Sequence, residues 1–230
     1  MAAHVAPSLP RLRQAVIAAH DLDHVVGQLR DELGLGEPFA DPGVEHFGLR
    51  NAVFALGDSF LEVVSPIRAD TAAGRLLERR GGDCGYMTMF QVEDLAAARE
   101  RVRSLGVREV FEVSLDDVEE VHLHPADMRG AIVSLTTPRP PSAWRWGGPG
   151  WQERSAPLRI TGATITVAEP ATVGDRWATA LGAPLERVGV QVSADEEDRG
   201  LVEVRVSRFG GGDSFTAGGV QFVIEQEEAQ

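Results

Sequence analysis

The chain has 230 residues, 43% of them hydrophobic and 25% charged, a composition typical of a globular protein of one large or two small domains. Its net charge of -13 argues against binding to nucleic-acid phosphates or to anionic lipid, and we expect neither partner. The single cysteine, Cys84, excludes an intrachain disulfide, and the opening residues lack the apolar run of a signal peptide. We therefore expect a cytoplasmic protein.

The first segment predicts a strand, a helix and further strands. A short apolar run at 14–19 is typical of a strand, and Asp21 after it is a natural N-cap. Apolar residues follow at helical spacing, and Gly34 ends the predicted helix. Two strand-like runs come next, at 44–56 and 59–65.

The same plan recurs twice. In the second segment Asp94 caps a helix that Gly106 closes, and strand-like runs follow. In the third, Pro170 begins a helix, and the later strand-like runs lie at 186–193, 201–208 and 219–225. We predict three modules and one linker rich in proline, glycine and tryptophan: modules at 11–66, 84–138 and 158–226, with the linker at 139–157.

The register of the first two modules agrees at both ends. The same number of residues separates Gly34 from Glu62 and Gly106 from Ser134. The N-caps likewise lie equally far beyond Gln14 and Met87. The repeat therefore equates Gln14 with Met87, and Glu62 with Ser134.

A strand, a helix and three further strands, repeated, resembles the βαβββ module of the vicinal oxygen chelate superfamily. AHDLDHVVGQLRDELGL is similar to the opening helix of that superfamily, and GDSFLEVVSP to its closing strand. HLHPADMRGAIVSL resembles the end of the second module in methylmalonyl-CoA epimerases and related glyoxalase-like proteins. The resemblance implies an α+β fold in which paired βαβββ modules enclose a cavity that holds a divalent metal, with a third such module at the C-terminus here.

The resemblance also implies where metal ligands would lie, on the first and last strands of each module. The corresponding residues here are Gln14, Glu62, Met87 and Ser134. A thioether and an alcohol are poor ligands for Zn²⁺ or Mn²⁺, so we expect no tightly bound metal and no other cofactor. A shifted site made of Gln14, Glu62 and His122 is the alternative.

Three interpretations of His122 and His124 remain open. The two residues alternate on a predicted strand and therefore share one face. In the first interpretation His124 caps the His-Pro-Ala-Asp turn while His122 lies on a polar or half-buried face. In the second they act in catalysis without a metal, and in the third they bind one.

Glu62 interrupts the apolar strand FLEVVS, where its neighbours Leu61 and Val63 point the other way. A carboxylate that faces an enclosed apolar cavity has a raised pKa, which suits a general acid or base. The alternative is a glutamate at an edge or on the surface.

The only tyrosine, Tyr86, opens the predicted strand YMTMFQV. Met87, Met89 and Gln91 share one face of this strand, and with Gln14 and Ser134 they predict an adaptable wall for an organic ligand. Core packing is the alternative for the methionines. We expect the three tryptophans of the linker to pack across the modules. The alternative is that one of them contacts the ligand.

Two functions follow from the resemblance. One is an enzyme, a lyase or isomerase of glyoxalase-like type that acts by proton transfer on a small oxygen-bearing molecule. Glu62 would be its base, with His122, His124, Gln14 or Gln91 polarising the substrate oxygen. The other is a non-catalytic small-molecule binder, as the superfamily's drug-sequestering bleomycin resistance proteins are.

An unpaired third module would expose a sheet edge and an apolar face, which folded proteins avoid. It either folds back on the first two modules or meets its copy in a second subunit. We predict the second arrangement, a homodimer.

Overall fold

A computed structural model describes residues 8–227 and contains two β-sheets. Seven strands form the larger sheet: β1 (Arg11–Ala18), β2 (Leu49–Leu56), β3 (Ser59–Pro66), β4 (Cys84–Gln91), β5 (Glu109–Ser114), β6 (Val118–Leu123) and β7 (Ile132–Pro138). Their order across the sheet is β2-β3-β1-β4-β7-β6-β5. The antiparallel pair β1 and β4 lies near the middle and joins the two repeats into one sheet.

Four α-helices accompany the larger sheet, and two of them begin at the predicted caps. They are α1 (Leu22–Leu33), α2 (Ala72–Arg80), α3 (Leu95–Ser104) and α4 (Pro125–Met128). The side chains of Asp21 and Asp94 accept hydrogen bonds from backbone N–H groups in the first turns of α1 and α3. Gly34 ends α1 in the left-handed conformation that glycine adopts without strain.

One element of the first module differs from its prediction. Pro42–Phe47 form a 3-10 helix where a strand was predicted from residue 44, so that part of the prediction is wrong. Asp41 caps this helix, and Pro42 occupies its first turn, where the fixed φ of proline favours a helical start. The first module therefore contributes three strands to the sheet, and the second contributes four.

The strand register confirms the predicted repeat. β1 and β3 pair in parallel with Gln14 opposite Phe60, and β4 and β7 pair in parallel with Met87 opposite Ile132. In each module the residue opposite lies two positions before the last of the implied ligand positions. The equivalences deduced from the sequence therefore hold in space.

The C-terminal part forms the smaller sheet. Its elements are β8 (Leu158–Val167), α6 (Pro170–Leu181), β9 (Val190–Ala194), β10 (Gly200–Phe209), β11 (Phe215–Ala217) and β12 (Val220–Glu227). The predicted order of strand, helix and strands is present, but the strands are arranged β11-β12-β10-β8-β9. The first strand of this part, β8, pairs with β10 and β9. In the first two modules, by contrast, the first strand pairs with the last strand of its own module, β1 with β3 and β4 with β7.

The smaller sheet packs against the outer face of the larger one, together with α1 and α3. Gly85 of β4 lies directly against Leu201 of β10, and Phe90 contacts Trp177 of α6 with ring centroids 6.2 Å apart. The C-terminal part thus folds back on its own chain, the first of the two predicted arrangements. Because the apolar face that suggested dimerisation is covered, the homodimer stays a prediction without that support.

The inner face of the larger sheet is covered differently. The sheet curls until Phe47, just before edge strand β2, contacts Phe111 of the opposite edge strand β5, with ring centroids 5.0 Å apart. Residues 139–157, here called the strap, cross this inner face and include the short helix α5 (Trp151–Arg154). Trp144 and Trp151 both pack on Phe60, which confirms that the linker tryptophans pack on the modules. None of the helices in the described part of the chain has the length and apolar character needed to span a membrane.

Candidate functional site

A cavity of about 350 Å³ lies on the inner face of the larger sheet. Its apolar wall consists of Val16, Val44, Phe47, Leu49, Val64, Met87, Met89, Phe111, Val113, Leu115, Ile132 and Trp146. Its polar side chains are Gln14, Asp41, His46, Asn51, Glu62, Tyr86, Glu120 and His122. A mostly apolar pocket with a few polar groups is typical of a small-molecule site.

Glu62 is the centre of the polar group on the first module. Its side chain is buried, with Oε2 accepting a hydrogen bond from Gln14 Nε2 and Oε1 accepting one from Asn51 Nδ2, both at 2.7 Å. Burial raises the pKa of Glu62 to about 7, the two amide donors oppose the rise, and the carboxylates of Asp41 and Glu120 add to it. A carboxyl group with a pKa near 7 has the acidity that suits an acid–base group at neutral pH.

Glu120 provides a second buried carboxylate, on β6 of the second module. Its Oε2 accepts hydrogen bonds from Thr136 Oγ1 at 2.6 Å and from Trp146 Nε1 at 2.7 Å, and its Oε1 lies 2.6 Å from His122 Nε2. The sequence interpretation missed Glu120, although it stands two residues before His122 and so shares its face. Asn51 was missed as well, and its signal was an amide inside the apolar strand LRNAVFAL.

Tyr86 enters the cavity because β4 contains a bulge. Val16 pairs with Met87 and Ile17 pairs with Gly85, so Tyr86 is left without a partner on β1. Tyr86 and Met87 can therefore both face the cavity although they are consecutive. Burial raises the pKa of Tyr86 to about 12, so its phenol is neutral, and it forms no hydrogen bond with any residue from 8 to 227. A free, neutral hydroxyl of this kind can donate to a ligand oxygen.

Six of the nine predicted site residues line the cavity: Gln14, Glu62, Tyr86, Met87, Met89 and His122. His124, which was predicted as a catalytic candidate, does not line the cavity. Strand β6 ends at Leu123, and the Nδ1 atom of His124 caps α4 by accepting a hydrogen bond from the backbone N–H of Ala126 at 3.1 Å. This is the capping interpretation of the histidine pair.

Gln91 and Ser134 are also absent from the cavity lining, so the structure does not bring these two predicted ligand-binding residues to the cavity. Gln91 binds the strap: its Oε1 accepts from Arg13, and its Nε2 donates to the carbonyl of Pro141 at 2.7 Å. Ser134 is fully buried, with its Oγ 3.1 Å from the hydroxyl of Thr136. Alternation placed both residues on the correct face, but the strap and neighbouring side chains cover that face at these two positions.

The side chains at the implied metal positions do not fit a first-row metal ion. Gln14 Oε1 already accepts a hydrogen bond from the strap, Ser134 is bonded to a neighbouring hydroxyl, and Met87 offers a thioether. In the shifted set, His122 Nε2 already faces Glu120. Across residues 8–227 no cluster of three or more His, Cys, Asp or Glu side chains is suited to a metal.

Comparison with known proteins assigns the family. The protein-family model of the glyoxalase-like domain matches residues 15–182, from β1 through the strap to the end of α6. This chain belongs to the glyoxalase-like domain family. It is thereby a member of the vicinal oxygen chelate superfamily, as the sequence resemblance implied.

The relatives of this glyoxalase-like protein include acyl-CoA epimerases. It is 28% identical over 131 residues to the ethylmalonyl-CoA/methylmalonyl-CoA epimerase of Cereibacter sphaeroides, a match that covers 54% of this chain and 96% of the relative. Methylmalonyl-CoA epimerase from Mycobacterium tuberculosis is similar in structure, with a TM-score of 0.50, 27% identity and coverage of 59% of this chain and 93% of that chain. A variant of the Streptomyces coelicolor epimerase in complex with 2-nitronate-propionyl-CoA also gives a TM-score of 0.50, with 27% identity and coverage of 60% and 100%.

Proposed function

We propose that this glyoxalase-like protein catalyses proton transfer, with isomerisation as its outcome, at a carbon next to a carbonyl group of a small organic molecule. One observation carries the proposal: a buried carboxylate, Glu62, lines an apolar cavity and has a pKa of about 7. A base of this strength is half ionised at neutral pH and can both remove and return a proton. The names of the epimerase relatives support the same class of reaction.

The proposed roles follow the positions of the side chains. The ionised Glu62 takes the proton, and the electron pair of the broken C–H bond moves to the carbonyl oxygen as an enolate. Tyr86 donates a hydrogen bond to that oxygen, since its hydroxyl has no other partner among the described residues. Glu62, now protonated, returns the proton to the carbon, and the enolate reverts to the carbonyl compound. Glu120, held by Trp146 and Thr136, is the second carboxylate that lines the cavity.

Solvent exchange tests the proposal without knowledge of the natural substrate. A panel of small carbonyl compounds is incubated with the protein in D₂O, and deuterium at the carbon next to the carbonyl is followed by NMR. The wild-type protein is expected to accelerate exchange for at least one class of compound, and Glu62→Gln to abolish that acceleration. Exchange that is equal with and without the protein over the whole panel would refute the proposal.

A non-catalytic binder is the second candidate, and one observation favours it. Both oxygens of Glu62 already accept hydrogen bonds from side-chain amides, as a purely structural carboxylate would. A binder would raise its melting temperature with a ligand of the panel while exchanging no deuterium. The exchange experiment therefore separates the two functions.

A further inference from the structure

The charges around the cavity are of one sign. No arginine or lysine is among its lining residues within the described chain, and the full sequence contains no lysine at all. Three carboxylates face it, those of Asp41, Glu62 and Glu120. The groups there that can become positive are the imidazoles of His46 and His122, of which the first lies on the exposed rim and the second is bonded to Glu120.

The nearest arginines contact other groups. Arg13 is fully buried but points into the strap, where it donates to the backbone carbonyls of Pro141 and Ser142 and lies over the ring of Trp144, 5.0 Å from its centroid. Arg75 and Arg79 line a separate hollow of about 280 Å³, which shares Tyr86 and Ile132 with the cavity. Neither arginine is among the residues that line the cavity itself.

We propose that the cavity selects an uncharged carbonyl group and rejects an acyl group that carries a carboxylate. The proposal rests on the proposed function and narrows its substrate class to ketones, esters and thioesters of simple acyl chains. A carboxylate that enters would lose its hydration, find no fixed cation among the lining residues and face three acidic side chains, and the burial of an unpaired charge is strongly unfavourable. The selectivity would then differ from that of the relatives, whose names specify ethylmalonyl-CoA and methylmalonyl-CoA.

Two matched pairs of probes test the selectivity. Isobutyryl-CoA and methylmalonyl-CoA differ by a methyl group in place of a carboxylate, and dimethyl and monomethyl methylmalonate differ by one ester. Dissociation constants are measured by calorimetry at pH 8 on the full chain. We expect the member whose acyl group lacks the carboxylate to bind about ten-fold tighter or more in at least one pair, with no reversal in the other. Equal affinities, tighter binding of the member with the acyl carboxylate or binding of neither would overturn the proposal.

Charge variants identify the source of the preference. Glu62→Gln and Glu120→Gln should each reduce the ratio of the two dissociation constants by about three-fold or more, because each removes one negative charge from the cavity wall. Glu119→Gln is the matched control: this neighbour pairs with Arg139 outside the cavity and should leave the ratio unchanged. An unchanged ratio in both cavity variants would show that the charges do not cause the preference.

The outcomes also separate the proposed selectivity from the proposed proton-transfer function. Tight binding of the probes that lack the acyl carboxylate, without deuterium exchange, would remove the proposed function and leave the selectivity standing. If exchange is catalysed as fast for methylmalonyl-CoA as for isobutyryl-CoA, the proposed selectivity is wrong and the proposed function stands.

Discussion

The indole Nε1 of Trp144 donates a hydrogen bond to Oε1 of Gln14 over 2.7 Å. This contact orients the amide so that its Nε2 group points at Glu62, which it meets at 2.7 Å. Trp146 makes the equivalent contact with Glu120 in the other module. The strap therefore holds a polar group of each module, and the geometry of both carboxylates depends on residues outside the two repeats.

Catalysis should follow the ionisation of Glu62. Because the base form of the carboxylate removes the proton, the exchange rate is expected to rise as the pH increases through about 7, the pKa of this group, and then to level off. Glu62→Gln should lose at least about a hundred-fold in rate, the usual contribution of an acid–base group. The measurement is the exchange rate of one responsive compound from pH 5 to pH 9. A profile that is flat across pH 7 would contradict the assignment.

The same carboxylate should make stability depend on pH. Burial raises the pKa of Glu62 from 4.5 to about 7, so the folded protein holds the proton more tightly than the unfolded chain between these values. The free energy of unfolding should therefore fall as the pH rises from about 5 to 8, and Glu62 accounts for about 3 kcal/mol of that fall.

Urea unfolding of the wild-type protein and of Glu62→Gln at both pH values isolates this contribution, since the other ionisable groups cancel in the difference. The variant is expected to cost little stability at pH 8. A large loss there, together with unchanged ligand binding, would make Glu62 a structural residue.

The strap should contribute to the site through one hydrogen bond. Trp144→Phe keeps an aromatic ring on Phe60 but removes the donor to Gln14, and we expect a loss of about 1–2 kcal/mol in stability with weaker ligand binding. Trp151→Phe is the control, because Trp151 also packs on Phe60 but its indole N–H makes no hydrogen bond within residues 8–227. Thermal or urea unfolding of the two variants gives the comparison. Equal losses of stability and affinity would show that only ring packing counts.

We predict that the protein holds no first-row metal tightly, because a thioether and a buried hydroxyl occupy two of the implied ligand positions. Purified protein dialysed against a chelator should contain well under one equivalent of zinc, manganese or iron by mass spectrometry. One equivalent that survives dialysis would disprove this. The double variant Ser134→Glu, Met87→His supplies the two missing ligands. By the same argument, it should retain more metal than the wild-type protein after this dialysis.

Much of the fold was predictable because it depends on local signals. The caps at Asp21 and Asp94 and the equal spacing within the two repeats are encoded by neighbouring residues, and the structure confirms them. The way the smaller sheet packs was not predictable, since a strand order depends on contacts between distant segments. Strand β8 illustrates this: the third module was predicted to follow the plan of the first two, but its first strand lies between β10 and β9 in a sheet of different order.

The candidate site was predictable in part for the same reason. Glu62 could be found because a carboxylate inside an apolar strand is a local signal. The removal of Gln91 from the cavity could not, because it results from a strap some fifty residues further along the chain. The entry of Tyr86 depends on a bulge, and no local rule announces it.

The distribution of the tryptophans has a practical consequence. Three of the four belong to the strap, where Trp146 lines the cavity and the other two flank Phe60. The intrinsic tryptophan fluorescence of this protein therefore originates mainly from the neighbourhood of the site. A ligand that enters the cavity meets the indole of Trp146 directly, so it should alter the emission without any added dye. The natural ligand can thus be sought by titrating unlabelled extracts and fractions into the native protein.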